Sequence, residues 1–265
     1  GSQDSAADPK KPETVKNGDR SDKADKTDEA DKADEADGAD ELTKTRGLIV
    51  SKVIEKTGSK PDEEDDRIVL KELERNYERG DFPEMDIDFE SLSEINPDVV
   101  AWVYVGATKI DYPVVQTEDN EFYLHQTFEG KKNSSGCIFM DWEVNKDLNS
   151  PNTFIYGHNM KNGSMFGQLR KFSEQETVDK NPYFWMFTPN FIYQYRIFST
   201  SVVGTSGDPY TTRFSLADFQ KFIDESVSRS EVNCGTVSVT TSDRLMTLST
   251  CTGDSSTRRI LQGVL

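Results

Sequence analysis

"RLMTLSTC", residues 244–251, combines the alternation of a β-strand with a thiol at its end. Side chains two apart on an extended chain share a face. Met246 and Leu248 therefore make an apolar side, and Thr247, Ser249 and Cys251 make a polar one. A cysteine that merely packs falls most naturally into register with Met246 and Leu248, so Cys251 is set apart. Outward from this stretch the same texture recurs in "TKIDYPVVQ" (108–116), "GCIFMDW" (136–142), "NTFIYGH" (152–158), "FWMFTPNFIYQYRIFSTSVV" (184–203), "TVSVTT" (236–241) and "RILQGVL" (259–265). Short β-branched and aromatic runs separated by turn residues predict a mainly β domain, a mostly antiparallel barrel or sandwich.

Helical pattern interrupts this rhythm in four places. "DEEDDRIVLKELERNYERGD" (62–81) places Ile68, Leu70 and Leu73 among charges and stops at Gly80. "DFESLSEINPDVVAWVYV" (88–105) reads as a short helix broken near Pro97 and followed by a strand. "SMFGQLRKF" (164–172) and "SLADFQKFIDESVSR" (215–229) are the others, the last with Leu216, Phe219, Phe222 and Ile223 on one face behind the cap Ser215. That helix sits inside a long connection between strands, a frequent place for function.

The chain has 265 residues and a formal net charge of −17, with most of its polarity at the N-terminus. "SDKADKTDEADKADEADGADELTK" (21–44) has too little apolar surface to offset its ordering entropy. Residues 1–64 are read as a disordered acidic tail whose opening "GS" is an expression scar, and residues 65–265 as one domain. The apolar run "GLIVSKVI" is far too short to span a membrane, and no basic stripe points to nucleic acid. Three cysteines, Cys137, Cys234 and Cys251, make no even disulfide set, and no C-x-x-C spacing suggests zinc. Cys137 and Cys234 read as packing residues.

A nucleophilic cysteine needs a proton acceptor, and the chain holds two histidines. His125, in "EFYLHQTF", suits a surface or capping role; His158 ends a strand and opens a loop, where scaffolds tend to carry chemistry. Arg258 and Arg259 offer a fixed charge and several donors suited to a tetrahedral oxyanion, and strand alternation does not choose between them.

"TLSTC" followed by Arg259 before an apolar strand, with "YGHN" upstream, resembles the sortases, cysteine transpeptidases of Gram-positive cell surfaces. The stretches 88–130, 136–142 and 152–169 are similar in order and spacing to class B members, so the resemblance spans about residues 65–265. It implies an eight-stranded β-barrel with N-terminal helices and a helix in the long connection before the last strands. It also implies Cys251 as nucleophile, His158 as general acid and base, and Arg259 as stabiliser of the oxyanion, the last chosen because the family's arginine directly precedes the apolar run. Substrate contacts would map onto Asn120, Leu124, Ser249 and Thr250. Where class B members often carry acidic residues directly after the cysteine, this chain has Thr252 and Gly253, with Asp254 later.

The implied reaction cleaves a Pro- and Thr-containing sorting signal of surface proteins through a thioester and passes the protein to a peptidoglycan amine. It needs no metal or organic cofactor, and contact with the membrane would come only through an N-terminal anchor. A pilus-polymerising sortase would use the same residues, but such enzymes carry an N-terminal lid with an Asp-Pro-aromatic motif, whereas "DPY" here lies at 208–210. A cysteine hydrolase of another fold and a non-catalytic surface-binding module are the remaining alternatives.

Overall fold

The computed structural model describes residues 78–265. The expected acidic tail and the expected helix over 62–81, apart from residues 78–81, lie outside the described residues. The chain forms a closed barrel of eight strands: β1 (Val99–Val105), β2 (Ile110–Val115), β3 (Phe139–Met140), β4 (Asn152–Tyr156), β5 (Tyr183–Phe187), β6 (Ile192–Gly204), β7 (Leu245–Cys251) and β8 (Thr257–Val264). Their order around the barrel is β1-β2-β3-β4-β7-β8-β6-β5. All joints are antiparallel except β2–β3 and β4–β7.

Two-residue periodicity builds both sides of the wall. On β1, Ala101, Val103 and Val105 enter the barrel interior beside Ile110, Ile155, Met246, Leu248 and Leu261. Trp102 and Tyr104 face outward into a second cluster with Leu92 and Trp185. Leu92 belongs to helix α1 (Phe89–Ile95), whose N-cap Asp88 accepts from the Ser91 amide. The helix ends at Asn96, in extended conformation, because a residue before proline is pushed out of the helical region. The run 164–172 becomes a 3₁₀ helix, Phe166–Ser173, whose Phe166, Leu169 and Phe172 join the interior core. A short helix α2 (Gln175–Lys180) follows it.

Helix α3 (Leu216–Ser228) lies in the β6–β7 connection, its cap Ser215 accepting from the Asp218 amide. Phe219, Phe222 and Ile223 pack against Phe198, Leu245 and Val264 on the outer wall, each worth about 1.5–3 kcal/mol of apolar burial. Leu216, expected on the same face, is 76% exposed in the first turn, ahead of the patch.

A further expectation fails at "TVSVTT", which forms no strand. Val237 and Val239 do turn inward to the α3 cluster, but the closed barrel has no free edge for another strand to join.

Candidate active site

Three adjacent strand ends converge on the outer wall of the barrel. In the parallel pair β4–β7, Tyr156 lies opposite Ser249, and the Gly157 amide donates to the Ser249 carbonyl at 3.1 Å, extending the ladder past the strand. His158 thus arrives two residues beyond Tyr156, as Cys251 arrives two beyond Ser249, on chains about 4.8 Å apart. In the antiparallel pair β7–β8, Cys251 is directly opposite Arg258, and directly opposite residues share a face. His158, Cys251 and Arg258 line one cavity of about 290 Å³.

Gly157 makes the approach of His158 possible. A Cβ there would meet the Ile138 side chain and lie 2.8 Å from Phe166 Cγ, so any larger residue would push the strand end off the core. His158 itself is part-buried, and its Nε2 is buried with no hydrogen-bond partner among the described residues. Burial holds the imidazole below the ordinary histidine value; a backbone hydrogen bond involving Leu124 acts the other way, and the positive charges of His125 and Arg258 add to the depression. The depression favours the neutral imidazole, the form that can take a thiol proton.

The arginine expectation is reversed. Arg259 sits opposite Thr250, on the other face of β8, and its Nη1 donates to Glu231 Oε2 at 2.8 Å. Arg258 is the arginine that lines the cavity, steadied by its Nη1 donating to the carbonyls of Ser255 (3.1 Å) in the β7–β8 turn and Thr257 (2.8 Å) at the start of β8. The register of the hairpin decides this, and the length of its turn sets that register.

Asn120, Leu124, Ser249 and Thr250 all line the same cavity. Asn120 and Leu124 come from the β2–β3 connection, Leu124 on a 3₁₀ turn (Phe122–Leu124) that His125 caps from an exposed position. The β6–β7 connection supplies Thr205 and Tyr210 to the same cavity. Tyr210 stacks on Phe154 at 5.7 Å between ring centroids, and its hydroxyl is 3.2 Å from the Ser249 hydroxyl. Sequence reading missed Tyr210 although it belongs to the quoted "DPY", because only the position of that motif was weighed.

Cys137 and Cys234 are buried away from the cavity, and burial pushes both thiols up. Cys251 alone among the cysteines is part-exposed. Asp254 turns its carboxylate back onto the amide and hydroxyl of Ser256 within the β7–β8 turn, which lowers its pKa. Among the described residues no cluster of three or more His, Cys, Asp or Glu is placed to hold a metal.

Comparison with known proteins bears on the family and the fold. Residues 103–265 match the family described as Sortase domain. The chain is 34% identical to Sortase B of Listeria monocytogenes over 67% of this chain and 74% of that protein. It is 38% identical to Sortase B of Staphylococcus aureus over 62% of this chain and 67% of that protein. Among solved structures, sortase B of Clostridium perfringens is similar with a TM-score of 0.64 at 34% identity, covering 67% of this chain and 98% of that one. The Staphylococcus aureus sortase B–substrate complex gives 0.63 at 33% identity, covering 66% and 83%. With its barrel, its family match and its sortase B relatives in agreement, the chain belongs to the sortase family and is a class B sortase.

Proposed function

We propose that this sortase transpeptidase cleaves a Pro- and Thr-containing sorting signal near the C-terminus of surface proteins, with Cys251 as nucleophile, His158 as acid and base, and Arg258 as oxyanion stabiliser. The observation that carries the reading is the arrival of these three side chains, from three neighbouring strand ends, in one cavity.

The Cys251 thiol loses its proton to His158, and the thiolate sulfur adds to the carbonyl carbon of the signal's threonine. The negative charge that develops on the carbonyl oxygen meets the Arg258 guanidinium. Collapse breaks the C–N bond as His158 returns its proton to the departing amine, leaving a thioester on Cys251. An amine from peptidoglycan, in a cross-bridge or a stem peptide, then adds to the thioester, loses a proton to His158 and expels the Cys251 thiol. The product is an amide bond between the surface protein and the wall.

The depressed His158 bears on the rate. Attack requires the thiolate and the imidazolium to be present together. Burial of His158 disfavours the imidazolium, so slow turnover with a bell-shaped pH profile is the expected behaviour. Sortases work at the cell surface, and that is the location proposed for this enzyme; no helix among the described residues is long and apolar enough to cross a membrane.

The test is cleavage of a library of Pro- and Thr-containing peptides, with and without a glycine-peptide or diamino-acid amine, followed by intact mass. A thioester adduct on Cys251 that the amine converts to a new amide product is expected. No cleavage of any peptide, or an adduct on Cys137 or Cys234, would overturn the reading.

A further inference from the structure

Behind the cavity wall lies a carboxylate that the chemistry above does not use. Asp141 is only 5% exposed, and its carboxylate accepts three hydrogen bonds. Its Oδ2 receives Asn120 Nδ2 at 2.9 Å and the Tyr156 hydroxyl at 2.8 Å, while its Oδ1 receives the Glu143 amide at 2.8 Å. Asn120 and Tyr156 both line the cavity that holds Cys251. The other end of the Asn120 amide is committed as well, since its Oδ1 accepts from the Trp142 amide at 3.1 Å. The Trp142 N–H can only donate and the Asp141 carboxylate can only accept, so the Asn120 amide has one permitted orientation.

We propose that Asp141 is a positioning residue that orients Asn120 so that its second amide N–H is presented to a backbone carbonyl of the peptide in the groove. This rests on the functional reading above and adds to it a residue outside the groove that governs peptide binding. The bound orientation is set before substrate arrives, so no ordering of Asn120 is needed on binding.

Asp141 is also chemically irreplaceable at this point. In Asp141→Asn, an amide oxygen at the Oδ2 position would still accept from Asn120 and Tyr156, but the NH₂ would then face the Glu143 N–H. Turned over, the NH₂ would face the two side-chain donors. Either way a donor meets a donor, at a cost set by an unmade buried hydrogen bond. Tyr156 reports the same environment: burial first, and the adjacent Asp141 charge second, push its hydroxyl well above the ordinary tyrosine range.

The experiment has two arms. In the first, side-chain amide resonances of Asn120 are recorded in the wild type and in Asp141→Asn. Two resolved resonances are expected, of which the one bonded to Asp141 is protected from exchange and shifts and loses that protection in the variant; a freely exchanging, unresolved Asn120 amide in the wild type would overturn the proposal, whatever the reaction. In the second, Asp141→Asn, Asn120→Ala and the double variant are compared on the library peptide that the wild type cleaves best. Asp141→Asn should raise KM about tenfold with kcat changed less than threefold. Alkylation of Cys251 by iodoacetamide should keep its rate and pH profile. In the Asn120→Ala background, Asp141→Asn should add under twofold. Full additivity of the two changes, or an equal fall in kcat and in alkylation rate, would show a general structural role and overturn the proposal. A wild type that cleaves no peptide would overturn the functional reading, while the resonance arm still decides whether Asp141 holds Asn120.

Discussion

Arg258 and Arg259 are neighbours in the chain and belong to different parts of the molecule. Arg258 faces the groove with Cys251 and His158; Arg259 turns to the opposite face of β8 and is tied to Glu231 of the β6–β7 connection. They share residue type, strand and flanking sequence. What separates them is the pairing of β8 with β7, which places residue 258 opposite Cys251 and residue 259 opposite Thr250. The side of the wall each arginine takes is therefore assigned by register, and a one-residue slip would exchange the groove-facing cation for the one paired with Glu231.

The largest effects should come from the groove side. Cys251→Ala and His158→Ala should each lower peptide cleavage by at least about 10³-fold with little change in melting temperature, measured by quenched-peptide turnover and calorimetry. Cys137→Ala and Cys234→Ala should retain activity unless they unfold. A loss of turnover without unfolding in either of these two would move the chemistry away from the strand ends.

Next comes the support beneath that face. Gly157→Ala should destabilise the domain by about 1–3 kcal/mol in urea unfolding, because the added methyl meets Ile138 and Phe166 in a packed interior. An unchanged midpoint would show that the end of β4 gives way more easily than its packing implies.

The pH dependence of stability is a smaller effect with a definite sign. Burial holds His158 below the unfolded value of about 6.5, so the unfolded chain binds the proton first. The stabilising contribution is present above pH 6.5 and is lost as pH falls below it. His158→Gln should accordingly lose less melting temperature than the wild type between pH 7.5 and 5.5, by a few degrees. Parallel pH curves would mean that the imidazole charges without penalty.

The smallest change belongs to the structural arginine's side. Glu231→Gln should cost under about 1 kcal/mol, since one partner of the pair is substantially exposed, and should leave turnover within about threefold of wild type.

Much of this was legible in the chain. Alternation in "RLMTLSTC" separated Met246 and Leu248, now inside the barrel, from Ser249 and Cys251, now in the groove, because period two survives any tertiary context. The cap at Ser215 and the apolar face of α3 were readable for the same local reason. Three features were not. "TVSVTT" has a strand's pattern, but barrel closure leaves it no partner. Arg258 could not be separated from Arg259, because register depends on the turn between Cys251 and Thr257 and on pairing with a strand already locked to β4. Asp141 and Tyr210 act through residues far along the chain, Asn120 and Ser249, and no local spacing signals such contacts.

The most direct measurement is kcat/KM for Arg258→Ala and Arg259→Ala on one peptide under one set of conditions. Loss of an oxyanion donor should reduce Arg258→Ala by about a hundredfold or more, with poor rescue in Arg258→Lys because a point charge does not reproduce the planar fork. Arg259→Ala should stay within about threefold of wild type. A crippled Arg259→Ala beside a mild Arg258→Ala would contradict the register on which the site is built.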